Sequence, residues 1–227
     1  VKGLGSGPIE EIVKEREKNN FHSVFDFAKR VNLRLCTKRV FESLVYAGGF
    51  DSLDRSVHRS QYFVQEEGSR SFLEMVINFG KSYQEQLNSA QTTIFDDGSE
   101  VNLPEPVVPF CESWSSVYRL NKEKEVVGVF LSGHPLDDFR IEIDSFCRGS
   151  IATLLELEKH EGRDLMIAAV VTQGEHRITR KGDGFGTLTI EDYNDSYRLN
   201  LFQEKYLKFK HFMEPGTFVI ILSLIHI

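Results

Sequence analysis

The sequence has few cysteines and few prolines, and it lacks an uninterrupted apolar run of the length that crosses a membrane. Cys36, Cys111 and Cys147 lie far apart, without the paired spacing of a zinc site or a disulfide framework. The opening residues also lack the basic and then apolar pattern of a signal segment. We therefore expect no metal site, no membrane contact and a cytoplasmic location.

The sequence also lacks residue patterns that are typical of an active site. We find no carboxylate cluster, no nucleophile triad and no closely spaced histidine pair that would supply an active site. The net charge of −7 is unevenly distributed, because basic residues outnumber acidic ones in residues 1–50 and slightly in 174–211, while acidic residues dominate 81–163. Any binding surface for an anion is therefore local, and the overall charge does not decide the partner.

The opening residues are the most informative ones present. Lys2-Gly3-Leu4-Gly5-Ser6-Gly7 precede Pro8, which suits the first turn of a helix. Glycines let backbone amides approach a ligand closely, and a helix N-terminus adds partial positive charge. This pattern favours an anion site whose natural ligand is a phosphate of a nucleic-acid backbone. The alternative is a tight turn before a surface helix.

The remaining pattern changes from helix to strand. Short amphipathic helices are predicted up to about Leu53, with Ser23 and Thr37 as caps, and a longer helical stretch follows over residues 55–86. A polar and proline-rich segment precedes a further helix over 113–131. Strands are predicted at Leu165–Thr172, Phe185–Ile190, Tyr197–Phe202 and Thr217–Ile221, with a helix at Lys205–Phe212. The order is typical of a five-stranded OB barrel without its last strand.

Four sequence blocks, in order, carry a resemblance: Val1–Arg16, Lys38–Leu53, Glu123–Phe139 and Thr179–Phe202. Together they resemble the C-terminal part of the alpha-subunit family of bacterial DNA polymerase III. The resemblance implies an α+β fold, with a tandem helix-hairpin-helix domain followed by a truncated OB-fold β-barrel. It also implies that catalytic aspartates and their magnesium ions lie outside this chain, N-terminal to Val1, with no cofactor in the fragment itself. His134 is then a structural corner at a helix end.

Sequence pattern and resemblance together divide the chain into five expected parts. They are a duplex DNA-binding hairpin domain over 1–87, a clamp-binding linker over 88–112, a helical connector over 113–150, a partial OB domain over 151–221 and a tail over 222–227. The tail resembles a translated sequencing adapter, so we expect it to be non-native. Since the chain also begins inside a motif without methionine, we expect a fragment of a longer protein.

Three sets of residues are candidate contacts. The hairpin set is Lys2, Gly3, Leu4, Gly5, Ser6 and Gly7, joined by Lys38 and Arg39 from a second hairpin that is either a further phosphate site or scaffold. Gln91, Ile94 and Phe95 match the pentapeptide that tethers bacterial polymerases to the sliding clamp, although the linker could instead fold onto its own domain. In the barrel, Arg177, Arg180 and Lys181 are placed in the first strand turn, with Phe185 and Tyr197 as stacking residues for single-stranded DNA and Phe202 as core.

The expected function is that of a replicative polymerase fragment, part of a DNA-directed nucleotidyltransferase. Its partners would be duplex and single-stranded DNA, the sliding clamp and other polymerase III holoenzyme subunits. Two alternatives remain: the error-prone polymerase paralogue, which is expected to lack a good clamp pentapeptide, and a non-catalytic DNA-binding module of a repair or recombination protein. A protein-interaction piece without DNA affinity is a third possibility.

Overall fold

A computed structural model describes residues 1–65, 68–92, 103–155, 164–179 and 182–224. The side chains of residues 90–92, 155, 223 and 224 are outside that description. The chain divides into two compact units, Val1–Leu131 and Ser132–Ile227. None of the helices in the described ranges combines the length and apolar character of a membrane span.

The first unit is helical. Its helices are α1 (Ser6–Lys18), α2 (Val24–Arg30), α3 (Lys38–Tyr46), α4 (Phe72–Thr92) and α5 (Ser116–Val127), with a 3-10 helix at Arg59–Phe63. Ser23 caps α2 as predicted, since its Oγ accepts a hydrogen bond from the Asp26 amide at 3.0 Å. Gly128 ends α5 in the left-handed conformation that glycine favours, at φ 98°. Helix α5 therefore ends before the predicted limit at residue 131.

Aromatic rings fill the core of this unit. Phe27 on α2 meets Phe41 on α3 edge to face, with ring centroids 5.2 Å apart, and also contacts Phe50. Phe25 meets Phe72 and Phe79 of α4 in the same geometry. Close approach of α2 and α4 requires a glycine, because a Cβ on Gly80 would lie 2.5 Å from the Ala28 carbonyl oxygen.

The second unit combines short helices with one sheet. Its elements are a 3-10 helix (Pro135–Phe139), α6 (Arg140–Phe146), α7 (Ile151–Leu155), β1 (Asp164–Ile178), β2 (Gly184–Glu191), β3 (Ser196–Phe202), α8 (Gln203–Phe209), a 3-10 turn (Lys210–Phe212) and β4 (Phe218–Leu224). The strands form an antiparallel sheet in the order β3-β2-β1-β4. The sheet curls into a half-barrel, so the predicted fold class, a helical domain followed by a partial OB-like barrel, is confirmed.

Alternation along the strands builds the core of the second unit on one sheet face. Val171 on β1 lies opposite Ile190 on β2, and both are fully buried. The register shifts between Val171 and Gln173, which is a β-bulge in the long strand β1. Asp192 in the β2–β3 turn accepts a hydrogen bond from the Ile151 amide at 2.7 Å and so fixes the start of α7.

Several predicted boundaries differ from the structure. Strand β1 continues to Ile178, where a polar turn was predicted from Gly174, and β4 continues to Leu224, beyond residue 221. Residues 55–86 do not form one interrupted helix, because Arg59–Phe63 is a 3-10 helix and α4 begins only at Phe72. His134 precedes the 3-10 helix at Pro135 and caps it through Nδ1, which accepts from the Leu136 amide, so it begins a helix and does not end one.

Candidate nucleic-acid interface

The opening turn lies on the surface of the first unit. Lys2, Gly3, Gly5 and Ser6 are exposed, and Gly7 is half-buried. Gly5 is the extended N-cap of α1, so the Ser6 and Gly7 amides belong to the first helical turn and have no acceptor within the helix, whereas Pro8 has no amide hydrogen and the Ile9 amide donates to the Gly5 carbonyl oxygen. Their dipoles add to the partial positive charge of the helix N-terminus. The turn therefore presents amide donors to the surface, as an anion site requires.

Helices α3 and α5 hold this turn in place. The Lys2 amide donates a hydrogen bond to the Val126 carbonyl oxygen at the end of α5, with a length of 2.6 Å. Gly3 has a φ of 90°, and a Cβ there would lie 2.8 Å from Ser43 Oγ and 3.3 Å from Arg39 Nε, both on α3. Glycine is therefore required at residue 3 for its conformation and for its close approach to α3.

The structure brings Arg39 to the opening turn. Of the two predicted second-hairpin residues, Arg39 therefore shares one surface with the opening turn, with its guanidinium beside Gly3. Arg39 is exposed, and within the described ranges no carboxylate lies within ion-pair distance of it. An exposed guanidinium next to this turn can add a bidentate contact to a phosphate that the turn amides bind.

Lys38 and Leu4 have other contacts. The Lys38 ammonium donates to the Glu74 carboxylate at 2.9 Å, and this hydrogen bond raises the pKa of Lys38 and lowers the pKa of Glu74. Its charge is thus already compensated by α4. Leu4 is half-buried and packs against the aromatic core, so its side chain anchors the turn.

The proposed clamp residues lie at the edge of the described chain. Gln91 falls in the last turn of α4, whose backbone continues to Thr92, although the sequence predicts a linker from residue 88. Ile94 and Phe95 lie outside the described residues. The chain returns to the same unit, since the Gln61 side-chain amide donates to the Pro109 carbonyl oxygen at 2.8 Å and Ser60 Oγ donates to that of Glu112 at 3.1 Å.

A row of three side chains crosses the sheet of the second unit on the face opposite its core. Arg177 on β1 lies opposite Phe185 on β2, and Phe185 lies opposite Phe202 on β3. The two phenyl rings stack with centroids 5.7 Å apart, and 56% of Phe202 is exposed. The expectation that Phe202 is core is therefore wrong. Stacked, partly exposed aromatic rings on a face that also carries an arginine are typical of a surface that stacks bases.

The other predicted barrel residues differ in their placement. Arg177 belongs to strand β1 and not to a turn, and it donates to Glu175 at 2.5 Å. Tyr197 packs against the core with Leu199 and Leu201, so it does not belong to the exposed row. Arg180 and Lys181 lie outside the described residues. Strict alternation along β3 would have assigned Phe202 to the exposed face, together with Arg198 and Asn200.

Sequence analysis missed a buried ion cluster in the first unit. Arg59 is 7% exposed and binds Asp51 through two guanidinium nitrogens, at 3.0 Å and 2.6 Å to the same Oδ2 oxygen. Its third nitrogen donates to Glu123 at 3.2 Å, and Glu123 is 1% exposed. The available signal was the position of Glu123 between Leu120 and Val126 on the apolar face of α5. Within the described part of the chain, no three His, Cys, Asp or Glu residues are grouped as metal ligands would be.

Comparison with known proteins agrees with this architecture. The family model of the helix-hairpin-helix motif matches residues 1–62, which include the opening turn and α3. The DNA polymerase III subunit alpha of Vibrio cholerae serotype O1 is 26% identical over 228 residues, and that of Saccharopolyspora erythraea is 28% identical over 229 residues. Each match covers 97% of this chain and 18% of the relative, so the chain spans about a fifth of the length of the curated relatives it matches. The resemblance read from the sequence is thus confirmed, and almost all of this chain is homologous to a segment of bacterial DNA polymerase III alpha subunits.

Proposed function

We propose that this chain is the DNA-holding part of a replicative DNA polymerase, and that its opening turn grips the sugar-phosphate backbone of duplex DNA. The observation that carries the proposal is the exposed turn at Gly3–Gly7, in which the Ser6 and Gly7 amides have no acceptor among the described residues and the Arg39 guanidinium lies beside Gly3. Such contacts bind phosphates without reading bases, which suits a protein that moves over every sequence. The match of residues 1–62 to the helix-hairpin-helix motif supports the same role.

The parent reaction is template-directed addition of deoxynucleotides to a primer. Its catalytic aspartates and magnesium ions belong to a part of the protein outside this chain, and the location is cytoplasmic. The similarity to subunits named DNA polymerase III alpha supports this role over that of a repair or recombination module. Other subunits of the same holoenzyme are the expected protein partners.

Two further contacts complete the proposal. Gln91, Ile94 and Phe95 bind the sliding clamp, with the two apolar side chains in a pocket and Gln91 at its rim. Arg177, Phe185 and Phe202, with Arg180 and Lys181 nearby in sequence, guide single-stranded template over the open face of the sheet. Replacing Ile94 and Phe95 by alanine should abolish capture of the chain by immobilised clamp, while the Val107→Ala variant should bind normally. The exposed Val107 provides the matched loss of an apolar group in the same segment.

Binding of this chain to a duplex oligonucleotide at several salt concentrations tests the principal claim. Each phosphate contact contributes about 0.9 to the slope of log K against log salt concentration. We expect Arg39→Gln to weaken binding and to flatten that slope by about one, and Gly3→Val to weaken binding further by displacing the turn. Lys205→Gln is the control, because Lys205 is an exposed cation of the second unit. Binding that ignores salt, or that survives both hairpin substitutions unchanged, contradicts the proposal.

A further inference from the structure

A cleft in the first unit is not used by the function proposed above. It lies between the start of the 3-10 helix at Arg59–Phe63 and the N-terminus of α5, and its volume is about 380 Å³. The lining side chains that matter here are Arg55, His58, Ser113, Trp114, Ser116 and Arg119. Arginine, hydroxyl and aromatic side chains around one cleft are the groups that proteins use to hold phosphate compounds.

Two guanidinium groups in this cleft have no carboxylate within ion-pair distance among the described residues. Arg55 is exposed, and the Nε of Arg119 is buried and has no hydrogen-bond partner in the part of the chain that the structure describes. Asp51 also lines the cleft, but Arg59 holds its carboxylate at 2.6 Å. The lining therefore carries an excess of positive charge, which favours an anionic ligand.

The elements around the cleft add to its positive charge and hold its walls in place. Ser116 is the first residue of α5, so the positive end of a twelve-residue helix faces the same region. The Trp114 ring stacks on Tyr46 and Phe63, with centroids 5.8 Å and 5.4 Å apart. These contacts hold the wall of the cleft in one position, so a ligand finds its binding groups already arranged.

We propose that this cleft is a second phosphate-binding site, in which Arg55 and Arg119 hold the phosphate oxygens at the N-terminus of α5. The phosphate belongs either to a nucleic-acid strand or to a free phosphate compound, since the same oxygens are recognised in both. The site is separate from the opening turn, because Lys2 contacts α5 at Val126, about 15 Å along the helix from Ser116. Loss of one site therefore leaves the other intact.

Fluorescence of the chain reports directly on this cleft, because Trp114 is its single tryptophan. The experiment titrates inorganic phosphate at constant ionic strength. We expect a saturable change in emission, and Arg55→Gln and Arg119→Gln should each weaken the apparent affinity by about tenfold or more. Arg70→Gln, which removes an exposed arginine elsewhere in the same unit, should leave the affinity unchanged. Because Arg55 is exposed, its substitution tests the site even if Arg119→Gln alters folding.

A duplex oligonucleotide identifies the source of the phosphate. If it produces the same emission change and competes with inorganic phosphate, the site holds a nucleic-acid strand; if only inorganic phosphate does so, it holds a free compound. Both results support the site. Absence of a saturable change, or equal affinity in the wild type and Arg55→Gln, overturns it. Arg39 does not line the cleft, so the Arg39→Gln variant should show the same phosphate-induced change in Trp114 emission as the wild type. The phosphate titration therefore tests the cleft independently of the duplex-binding proposal.

Discussion

The two units of this chain enclose their apolar side chains to different degrees. The first unit surrounds an aromatic core with helices and buries the charged groups of Arg59 and Glu123 beside it. The second unit covers one face of a sheet, and on that sheet Ile178, Ile220 and Leu222 remain 76%, 57% and 69% exposed. The helical unit thus depends on internal complementarity, whereas the sheet displays side chains that are available for contacts. Three experiments test this difference.

The largest effect is expected at the buried ion cluster. Arg59→Met removes the guanidinium that pairs with the buried Glu123 carboxylate, which should cost about 3–5 kcal/mol of unfolding free energy. Urea unfolding followed by Trp114 fluorescence measures the first unit specifically. The double variant Arg59→Met/Glu123→Leu should recover much of the loss, since it removes both charges. A cost below about 1 kcal/mol for Arg59→Met would show that Glu123 is compensated elsewhere.

The next effect separates the two faces of the half-barrel. Ile190→Ala removes a fully buried side chain and should cost about 2–5 kcal/mol. Ile220→Ala removes the same atoms from the exposed face and should cost less than about 1 kcal/mol. Far-UV circular dichroism during urea unfolding measures both. Similar costs for the two variants would mean that the outer face of β4 is covered in the intact protein.

The smallest effect concerns the exposed ion pair between α3 and α4. The hydrogen bond from Lys38 holds the pKa of Glu74 below its ordinary value, so Lys38→Gln should raise that pKa toward the ordinary range. Because the folded-state pKa is depressed, the contribution of the pair is present above the ordinary glutamate pKa and is lost as pH falls through the folded value. Carboxyl NMR titration of Glu74 measures the change. An unchanged Glu74 pKa in Lys38→Gln would contradict the attribution.

The local sequence pattern predicted the presence of helices and strands better than the residues at which they begin and end. Ser23 caps α2 through its side chain, and Thr37 takes the predicted N-cap position of α3, although its side chain makes no capping hydrogen bond in the described structure. These signals act over a few residues, and the strand pattern likewise identified all four described strands. The long strand β1 was cut short because its polar second half is paired with β2, and pairing with a distant strand is not visible in composition. The 3-10 helix at Arg59–Phe63 depends likewise on tertiary contacts.

The sequence predicted the part of the candidate DNA-binding site that is built from one continuous segment. The opening turn needs only its own glycines and the following helix, so its amides could be read from the sequence. The packing of α3 decides that Arg39 lies beside Gly3 and that Lys38 binds Glu74. These two cations are adjacent in the sequence, yet only Arg39 is placed at the opening turn. The cleft at Trp114 likewise joins segments that lie far apart in the chain.

The hydrogen bonds of Gln61 to Pro109 and of Ser60 to Glu112 affect how a load on Ile94 and Phe95 would be carried. The described chain before this segment, in α4, and the described chain after it, from residue 103, both belong to the first unit, so both ends of the segment are attached to one body. A partner that bound Ile94 and Phe95 would therefore be linked to that body through two covalent connections, and a pulling load would be shared between α4 and residues 103–112. Such a tether resists extension more than a single strand between two bodies does.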